Sequence, residues 1–306
     1  MEVKAAVARI AGGDFTLEQL TLSDMRADEV LVRIVATGLC HTDIVVRDQL
    51  LPTPLPAVLG HEGAGIVEAV GADVTTLVPG DRVVMGFAAC RECPQCVAGH
   101  PAYCRDFSAL NFGGCRADGS TCLHDGVAPV SSHFFGQSSF ASHAIAAAHN
   151  LVKVPAEAPL ELLGPLGCGI MTGAGAVMKA LKLQAGETIL ITGGGPVGLS
   201  AVMAAKASGA GQIIVADPLA TRRAMALDLG ATHVIDVTAS DTAEQLRKLL
   251  PQGVDCVLDT SGAVPAIDAG VASLAPLGRL AIVGVPKALD AAISLNILTL
   301  LSLGIS

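Results

Sequence analysis

One stretch of the sequence, ETILITGGGPVGLSAVMAAKASGAGQIIVADP, constrains the fold more than any other. It predicts a buried strand, a glycine turn, a helix and a second strand, with Gly193, Gly195 and Gly198 spaced as G-x-G-x-x-G. Asp217 follows 19 residues after the last of these glycines, at the end of the second strand. In a βαβ unit this arrangement sets a pyrophosphate on the helix N-terminus and a carboxylate on the ribose diol. The segment therefore predicts a doubly wound parallel sheet that binds a dinucleotide.

The choice between NAD and NADP depends on the charges around Asp217. Its carboxylate would repel a 2′-phosphate, which favours NAD. Arg222 and Arg223 follow closely in the sequence, and an arginine near this position can bind the 2′-phosphate of NADP. The alternative is that both arginines simply face solvent. We expect NAD.

Four of the nine cysteines lie close together in ACRECPQCVAGHPAYCRD. Cys90, Cys93, Cys96 and Cys104 have the spacing C-x2-C-x2-C-x7-C. Four neighbouring thiolates can close a tetrahedron around Zn²⁺ with no open position, as in a structural zinc site. An iron–sulfur cluster and paired disulfides are the alternatives. Zinc is the interpretation that we favour.

Two further cysteines and a histidine form a weaker pattern. Cys40 follows the strand-like run VLVRIVATG, His61 lies in GHEGAGIVEAVGADV, and Cys168 lies in GPLGCGIMTG. Two cysteines and one histidine would leave a fourth zinc position for water or substrate, as in a catalytic site. From spacing alone, burial of both cysteines as small apolar side chains is the simpler interpretation.

Composition excludes several kinds of partner. The net charge is −9 and aromatic residues make up 3% with no Trp, which argues against nucleic acid and anionic membranes. The first residues, MEVKAAVARIAGGD, do not resemble a signal peptide. We therefore expect a cytoplasmic protein whose partner is a small molecule.

These motifs, in this order, resemble the zinc-containing, medium-chain alcohol dehydrogenases. Residues 60–74 are similar to the family's zinc signature, the four-cysteine segment is similar to its structural zinc loop, and the likeness extends through GGGPVG and IVGVP. The runs CHTDIVVRDQLLPTPLPAVLGHEGAGIVEAVG and HFFGQSSFASHAI most resemble the aryl-alcohol (benzyl alcohol) dehydrogenase branch. The resemblance implies an α/β protein with a β-rich, GroES-like catalytic domain over residues 1–169 and a Rossmann NAD-binding domain over residues 170–306.

The same resemblance implies that Cys40, His61 and Cys168 hold a catalytic zinc, so that each chain binds two zinc ions. Asp43 corresponds to a carboxylate that orients the histidine, although a role as a helix N-cap near the start of DIVVRDQ is equally expected from the sequence. Glu62 corresponds to a residue behind the metal that can act as an alternative ligand.

Thr42 corresponds to the hydroxyl that takes the substrate proton, and His41 to a basic residue that contacts the pyrophosphate. The family often has a histidine three residues after this threonine, where this chain has Val45, so water or His41 would complete the proton path. The cofactor-binding residues that the resemblance implies are His41, Thr172, Gly193, Gly195, Pro196, Val197, Gly198, Asp217, Arg222, Val283 and Val285.

The implied reaction is hydride transfer from a primary, aromatic (benzyl-type) alcohol to NAD, with zinc as a Lewis acid. Phe134 and Phe135, with Phe87, are expected near the substrate, and residues 105–137 are expected to form a long loop. Alternative substrates are aliphatic alcohols and a glutathione adduct of formaldehyde. Rival functions are a zinc- and dinucleotide-binding protein without activity and a nucleic-acid binder. The full-length form is expected to be a homo-oligomer.

The last part of the sequence departs from the family pattern. A sheet of this kind normally has six strands in the order 3-2-1-4-5-6, and only TILIT, QIIVA, THVID, DCVLD and RLAIVGV are visible here. Family members continue through a sixth strand and return to the first domain. We therefore expect a truncated chain with an uncovered sheet edge that aggregates and has little or no activity, an inactive remnant being the extreme case.

Overall fold

The computed structural model describes residues 1–239, 242–288 and 290–305 of the chain. The chain divides into two compact units, Met1–Cys168 and Gly169–Ser306, called here the first and second unit. The first unit consists mainly of strands, and the second is a parallel sheet with helices. The α/β fold class with a GroES-like and a Rossmann part is confirmed.

The first unit contains two five-stranded antiparallel sheets, with strand orders β4-β1-β2-β7-β8 and β10-β6-β5-β3-β9. The first strand shows why such sheets form, because Val3, Ala5 and Val7 are buried while Glu2 and Lys4 are exposed. The strands are β1 (Glu2–Ala8), β2 (Phe15–Leu22), β3 (Glu29–Thr37), β4 (Ala57–Val58), β5 (Gly63–Val70), β6 (Arg82–Met85), β7 (Leu123–Asp125), β8 (Ala128–Val130), β9 (His143–Ala147) and β10 (Leu151–Lys153).

Three short α-helices lie between these strands: α1 (His41–Arg47), α2 (Pro94–Val97) and α3 (Phe107–Phe112). The predicted strand VLVRIVATG forms β3 and leads directly into α1. The expectation of a long loop over residues 105–137 was wrong, because this region contains α3 and the hairpin of β7 and β8. Each of these elements has only three to six residues, which is too short to produce a visible hydrophobic period.

The second unit is a five-stranded parallel sheet in the order β13-β12-β11-β14-β15, which corresponds to 3-2-1-4-5. All five predicted segments contribute strands, although the last strand begins at Leu274, before the predicted segment. Leu190, Ile214 and Val257 are fully buried on adjacent strands, as expected for a sheet covered on both faces. The strands are β11 (Thr188–Thr192), β12 (Gln212–Ala216), β13 (His233–Ile235), β14 (Val254–Asp259) and β15 (Leu274–Ile282).

In the part of the second unit that the structure describes, six α-helices accompany the sheet: α4 (Gly169–Gly175), α5 (Pro196–Ala207), α6 (Ala220–Leu229), α7 (Thr242–Leu249), α8 (Val264–Val271) and α9 (Ile297–Leu303). Among the described residues, no helix is both long and apolar enough to cross a membrane. The terminal run LLSLGIS lies partly in α9, and its last residue, Ser306, is outside the described residues.

Candidate metal centres and dinucleotide site

Three predicted zinc ligands lie together in the first unit. His61 Nε2 is 3.2 Å from Cys168 Sγ, which is 4.0 Å from Cys40 Sγ. Together with a carboxylate oxygen of Glu62, these ligand atoms all lie within 4.8 Å of one another. Tetrahedral Zn²⁺ with Zn–S bonds of about 2.3 Å requires sulfur atoms about 3.8 Å apart. Both the donor types and their separation therefore fit a single zinc ion.

Asp43 is fully buried and connects the parts of this group. Its Oδ1 accepts hydrogen bonds from His61 Nδ1 at 2.9 Å and from the backbone N–H of Gly60 at 3.1 Å. Its Oδ2 accepts from the backbone N–H of Cys40 at 2.9 Å, as the third residue of a capping box at the start of α1. The N-cap of α1 is Cys40, so the N-cap role of Asp43 that the sequence offered as an alternative is wrong; Asp43 instead supports the cap as its third residue and makes the contact with the histidine. Because Nδ1 donates to Asp43, the other nitrogen of His61 faces the sulfur atoms.

The electrostatics of this group favour a bound cation. A hydrogen bond from Cys168 lowers the pKa of the Cys40 thiol to about 3, against the effect of burial, and raises that of Cys168. Burial lowers the pKa of His61, but hydrogen bonds to Asp43 and Cys40 outweigh it and raise this pKa to about 9. The protons on Cys168 and on His61 Nε2 thus sit between the ligand atoms, where a metal ion would displace them.

Glu62 is buried beside the same ligands. Its backbone carbonyl accepts a hydrogen bond from Gly38 N–H at 3.0 Å, and a Cβ on Gly38 would collide with its carboxylate. The negative charge of this carboxylate also contributes to the raised pKa of Cys168. Glu62 therefore lies where the fourth donor of a closed metal site would be.

The residues at the start of α1 differ in exposure. Thr42 is partly exposed, and its Oγ1 is 3.7 Å from Cys40 Sγ. His41 is exposed, whereas Val45 is 5% exposed and belongs to the core. Thr42 and His41, but not Val45, are therefore accessible beside the three-ligand group.

Aromatic rings cover one side of His61. The ring of Phe135 stacks on the imidazole with centroids 4.6 Å apart, and Phe134 meets it edge-on at 5.5 Å. Phe112 and Phe107 contact Phe135 with centroids 5.2 Å and 6.2 Å away. The sequence predicted the first two of these rings but missed Phe112 and Phe107, because α3 is too short to be recognised.

Phe87 completes this aromatic group through Phe107, with ring centroids 5.6 Å apart. The group, called here the aromatic wall, thus contains five of the seven phenylalanines in the chain. Phe134 is 1% exposed and serves as core, whereas Phe135 and Phe87 are half-buried.

Gln137 was also missed, although it is 2% exposed and contacts the same site. Its Nε2 donates to the backbone carbonyls of His61 at 3.0 Å and Gly86 at 3.4 Å, and its Oε1 accepts from Gly63 N–H at 3.0 Å. The side chain therefore fixes the backbone on both sides of Glu62. A polar residue within HFFGQSSF carried no spacing signal that could have identified it.

Replacing Gln137 by Glu should weaken zinc binding at the three-ligand site by about 10–100-fold. A carboxylate cannot donate to the two carbonyls, so the backbone that carries His61 loses its support. Zinc release to a chromogenic chelator measures the effect, and the ion at the four cysteines should leave at an unchanged rate. Gln19→Glu, on the exposed face of β2, is the matched control. Equal release rates in the two variants would contradict this role.

The four cysteines of the second predicted zinc site also converge. One sulfur from each of Cys90, Cys93, Cys96 and Cys104 lies within 4.8 Å of the others. The backbone N–H of Cys90 donates to Cys104 Sγ at 3.3 Å, and the backbone N–H of Cys93 donates to Cys90 Sγ at 3.3 Å. The N–H of Arg105 lowers the pKa of Cys93 to about 6. All nine cysteines are free, so the disulfide alternative is wrong, and the donors fit a closed tetrahedral site.

The glycine turn of the second unit has the geometry of a pyrophosphate cradle. Gly193 has φ +99°, a Cβ on Gly195 would meet no atom within 4 Å, and a Cβ on Gly198 would overlap the Gly193 carbonyl. The positive φ of Gly193 allows the tight turn, and the open space at Gly195 allows a ligand to approach. The missing side chain of Gly198 allows the helix to pack on the strand. α5 begins at Pro196, so the N–H groups of Val197 and Gly198 remain free to bind an anion.

Asp217 directly follows β12 and is 2% exposed. Its carboxylate accepts hydrogen bonds from the backbone N–H groups of Gly194 and Leu219, both at 2.7 Å. The half-exposed Arg222 lies 3.7 Å from this carboxylate. Arg223 instead donates to backbone carbonyls and to Asp236 at 2.7 Å. Only Arg222 of the two arginines therefore remains beside the carboxylate.

Two other implied cofactor residues lie at the same edge of the sheet. Val283 and Val285 follow the carboxyl end of β15, as Gly193 follows that of β11. In parallel sheets, ligands bind at the carboxyl ends of the strands. Thr172 lies in α4, whose neighbouring Gly173 packs against the first turn of α5.

Known families match both parts of the chain. Residues 26–156 match the alcohol dehydrogenase GroES-like domain, and residues 196–306 match the zinc-binding dehydrogenase family. Geraniol dehydrogenase of Castellaniella defragrans is 49% identical over 304 residues, covering 99% of this chain and 81% of the relative. The chain belongs to the zinc-binding alcohol dehydrogenases.

Similar solved structures are consistent with this family assignment. The structure of benzyl alcohol dehydrogenase from Acinetobacter calcoaceticus has a TM-score of 0.96 at 45% identity, covering 100% of this chain and 83% of that one. A zinc-binding dehydrogenase from Sinorhizobium meliloti, bound to NADP, has a TM-score of 0.83 at 25% identity, with coverages of 100% and 83%. The predicted alcohol oxidoreductase class and the zinc and nicotinamide-dinucleotide cofactors are thereby confirmed.

Proposed function

We propose that this zinc-binding alcohol dehydrogenase oxidises a primary, benzyl-type alcohol to the aldehyde with NAD as the hydride acceptor. The observation that carries the proposal is the stacking of Phe135 on His61 at 4.6 Å, which places an aromatic ring beside the three-ligand group. In this proposal residues 1–169 form the catalytic domain and residues 170–306 bind the dinucleotide.

A zinc ion bound here would supply a Lewis acid that lowers the pKa of the substrate hydroxyl, and bound NAD would supply the hydride acceptor. Cys40, His61 and Cys168 hold the ion, and Asp43 keeps His61 in the tautomer that can bind it. Thr42 accepts the hydroxyl proton, and exposed His41 or water carries it to solvent, because Val45 is buried. Glu62 acts as the alternative ligand. Cys90, Cys93, Cys96 and Cys104 hold the structural ion.

The substrate preference rests on the aromatic wall. An aromatic pair contributes about 0.5–1.5 kcal/mol beyond area burial, so two ring contacts predict about a tenfold advantage in kcat/KM over an aliphatic alcohol. Initial rates with benzyl alcohol, geraniol and 1-hexanol, each with NAD and NADP, test the proposal. Geraniol is the second candidate because a relative at 49% identity is named for it. Preference for geraniol or 1-hexanol would contradict the benzyl-type assignment.

Replacing Thr42 by Ala should slow alcohol oxidation at pH 7 by about 10²–10⁴-fold. The variant removes the hydroxyl that takes the proton but leaves the ligands of both metals in place. Thr42→Ser retains the hydroxyl and should restore most of the rate. Stopped-flow measurement of NADH formation gives the comparison, and a Thr42→Ala enzyme as fast as Thr42→Ser would exclude the proposed proton path.

Replacing Asp217 by Asn should reduce the preference for NAD over NADP by about tenfold or more. The amide retains an acceptor for a backbone N–H but removes the charge that repels a 2′-phosphate, while Arg222 stays nearby. Dissociation constants for NADH and NADPH, from nucleotide fluorescence, measure the change. Asp228→Asn, exposed on α6, is the matched control and should leave the ratio unchanged. An NADP preference in the unmodified chain would overturn the assignment of NAD.

A further inference from the structure

Asp259 is the last residue of β14 and lies where the strand order of the parallel sheet reverses. β14 pairs with β11 on one side and with β15 on the other, and the residues opposite Asp259 are Thr192 and Ile282. A dinucleotide crosses the carboxyl ends of the strands at such a reversal. Asp259 is nevertheless fully buried, so its side chain lies beneath this surface.

The carboxylate of Asp259 is bound by four neutral donors. Its Oδ1 accepts from the hydroxyl groups of Thr192 and Ser261, both at 2.6 Å, and from the N–H of Ser261 at 3.2 Å. Its Oδ2 accepts from the N–H of Gly262 at 2.9 Å. Among the residues that the structure describes, no cationic side chain forms an ion pair with it. This is unusual for a buried carboxylate, because neutral hydrogen bonds stabilise its charge without cancelling it.

The other buried carboxylate at this edge of the sheet does have a cation beside it. Asp217 lies 3.7 Å from Arg222. Asp217 also marks the half of the sheet that takes the adenosine ribose, so the nicotinamide half of the dinucleotide falls to β14 and β15. The carboxylate without a cation therefore belongs to the half of the site that receives the nicotinamide ring.

The backbone around Asp259 connects it to two implied cofactor residues, Val283 and Val285. The carbonyl of Asp259 accepts hydrogen bonds from the N–H groups of Val283 at 2.8 Å and Gly284 at 3.2 Å. A Cβ on Gly284 would lie 2.7 Å from Asp259 Oδ2, and a Cβ on Gly262 would lie 2.3 Å from the carbonyl oxygen of Val285. Because neither glycine has a side chain, residues 283–285 pack closely on the carboxylate.

We propose that the charge of Asp259 shifts the affinity of the chain toward the oxidised nicotinamide dinucleotide and away from the reduced one. The nicotinamide ring is positively charged in the oxidised form, and hydride transfer neutralises it. A fixed negative charge therefore stabilises only the oxidised form. At an effective dielectric constant of about 20, a unit charge about 10 Å away changes an affinity by about tenfold. Weaker binding of the reduced form favours its release, a step that often limits turnover.

The proposal requires a nicotinamide dinucleotide, which is the cofactor of the family. It depends neither on the benzyl-type substrate nor on the choice of NAD over NADP proposed above. Its test measures binding rather than turnover, so the outcome is separate from the outcome of the substrate and cofactor tests.

Replacing Asp259 by Asn removes the charge and retains most of the hydrogen bonds. The amide oxygen can accept from Gly262 N–H, and the amide nitrogen can donate to the hydroxyl groups of Thr192 and Ser261. In the zinc-loaded chain, the ratio of the dissociation constants for NAD and NADH should rise about tenfold, as measured by isothermal titration calorimetry. NADP and NADPH give the same comparison. ADP-ribose, which lacks the nicotinamide, should bind the variant and the unmodified chain equally.

The matched control is Ser261→Ala, which removes a hydrogen bond to the same carboxylate but retains the charge. It should leave the ratio unchanged. A second pair of variants alters the charge without touching the buried residue, because Ser261 is exposed. Ser261→Lys sets an ammonium group beside the carboxylate and should raise the ratio, whereas the uncharged Ser261→Gln should not.

An unchanged ratio in Asp259→Asn would overturn the proposal. Equal weakening of NAD, NADH and ADP-ribose is one form of that result, and it would leave Asp259 only a structural role. If Asp259→Asn does not fold, equal ratios in Ser261→Lys and Ser261→Gln would overturn the proposal instead. Failure of the unmodified chain to bind ADP-ribose would overturn it together with the dinucleotide site.

Discussion

Replacing Cys168 by Ser is expected to abolish alcohol oxidation and to leave about one zinc ion per chain instead of two. Cys168 Sγ lies 3.2 Å from His61 Nε2 and 4.0 Å from Cys40 Sγ, so its loss leaves two of the three proposed ligands. A serine hydroxyl is a much poorer zinc ligand than a thiolate. Metal content by mass spectrometry and initial rates with benzyl alcohol and NAD measure the two effects.

Cys115→Ser is the control for this variant, because Cys115 is a free, partly exposed thiol outside both metal groups. It should keep two zinc ions and full activity. A Cys168→Ser enzyme with two zinc ions and unchanged turnover would refute the ligand assignment. Loss of activity with both ions retained would instead place Cys168 outside the metal site.

Replacing Cys104 by Ser should remove the other zinc ion and unfold the segment that the four cysteines enclose. In small zinc-binding peptides the ion contributes about 10–16 kcal/mol, which is the free energy that folds them. Here the core around Ala89, Cys93 and Cys104 consists largely of the cysteines themselves, with Phe87, Phe107 and Leu110 packed against them. We therefore expect this small core to come apart without the ion.

Limited proteolysis and thermal denaturation measure this effect. We expect new cleavage within residues 90–107 and a lower Tm, with one zinc ion retained at the three-ligand group. Cys115→Ser again serves as the control. Resistance to cleavage together with an unchanged Tm would show that hydrogen bonds such as Cys90 N–H to Cys104 Sγ hold the segment without metal.

The sequence predicted the features that depend on neighbouring residues. The glycine turn after β11 and the four cysteines of one loop have recognisable spacings, because each motif binds its ligand through residues that are close together in the sequence. The five strands of the second unit were visible as apolar runs, since both faces of a parallel sheet are covered.

Features formed by residues that are far apart in the sequence could not be predicted from local spacing. Cys40 and Cys168 are 128 residues apart, so only the family resemblance brought them together. Gln137 contacts the backbone of His61 from 76 residues away, and no local pattern marks it. Phe107 and Phe112 reach the aromatic wall through a helix of six residues, which the expectation of a long loop overlooked.

The two metal groups also differ in how much of the chain must be synthesised before all the ligands of each group are present. The ligands of the four-cysteine group span 14 residues, whereas His61 and Cys168 are separated by 107. At about 5–20 residues per second, Cys168 is added about 3–13 s after Cys104. The four-cysteine segment can therefore take up its ion while the ribosome is still extending the chain. The proposed three-ligand set is not complete until the whole first unit, which ends at Cys168, has been made, so we expect the two proposed ions to be taken up in this order.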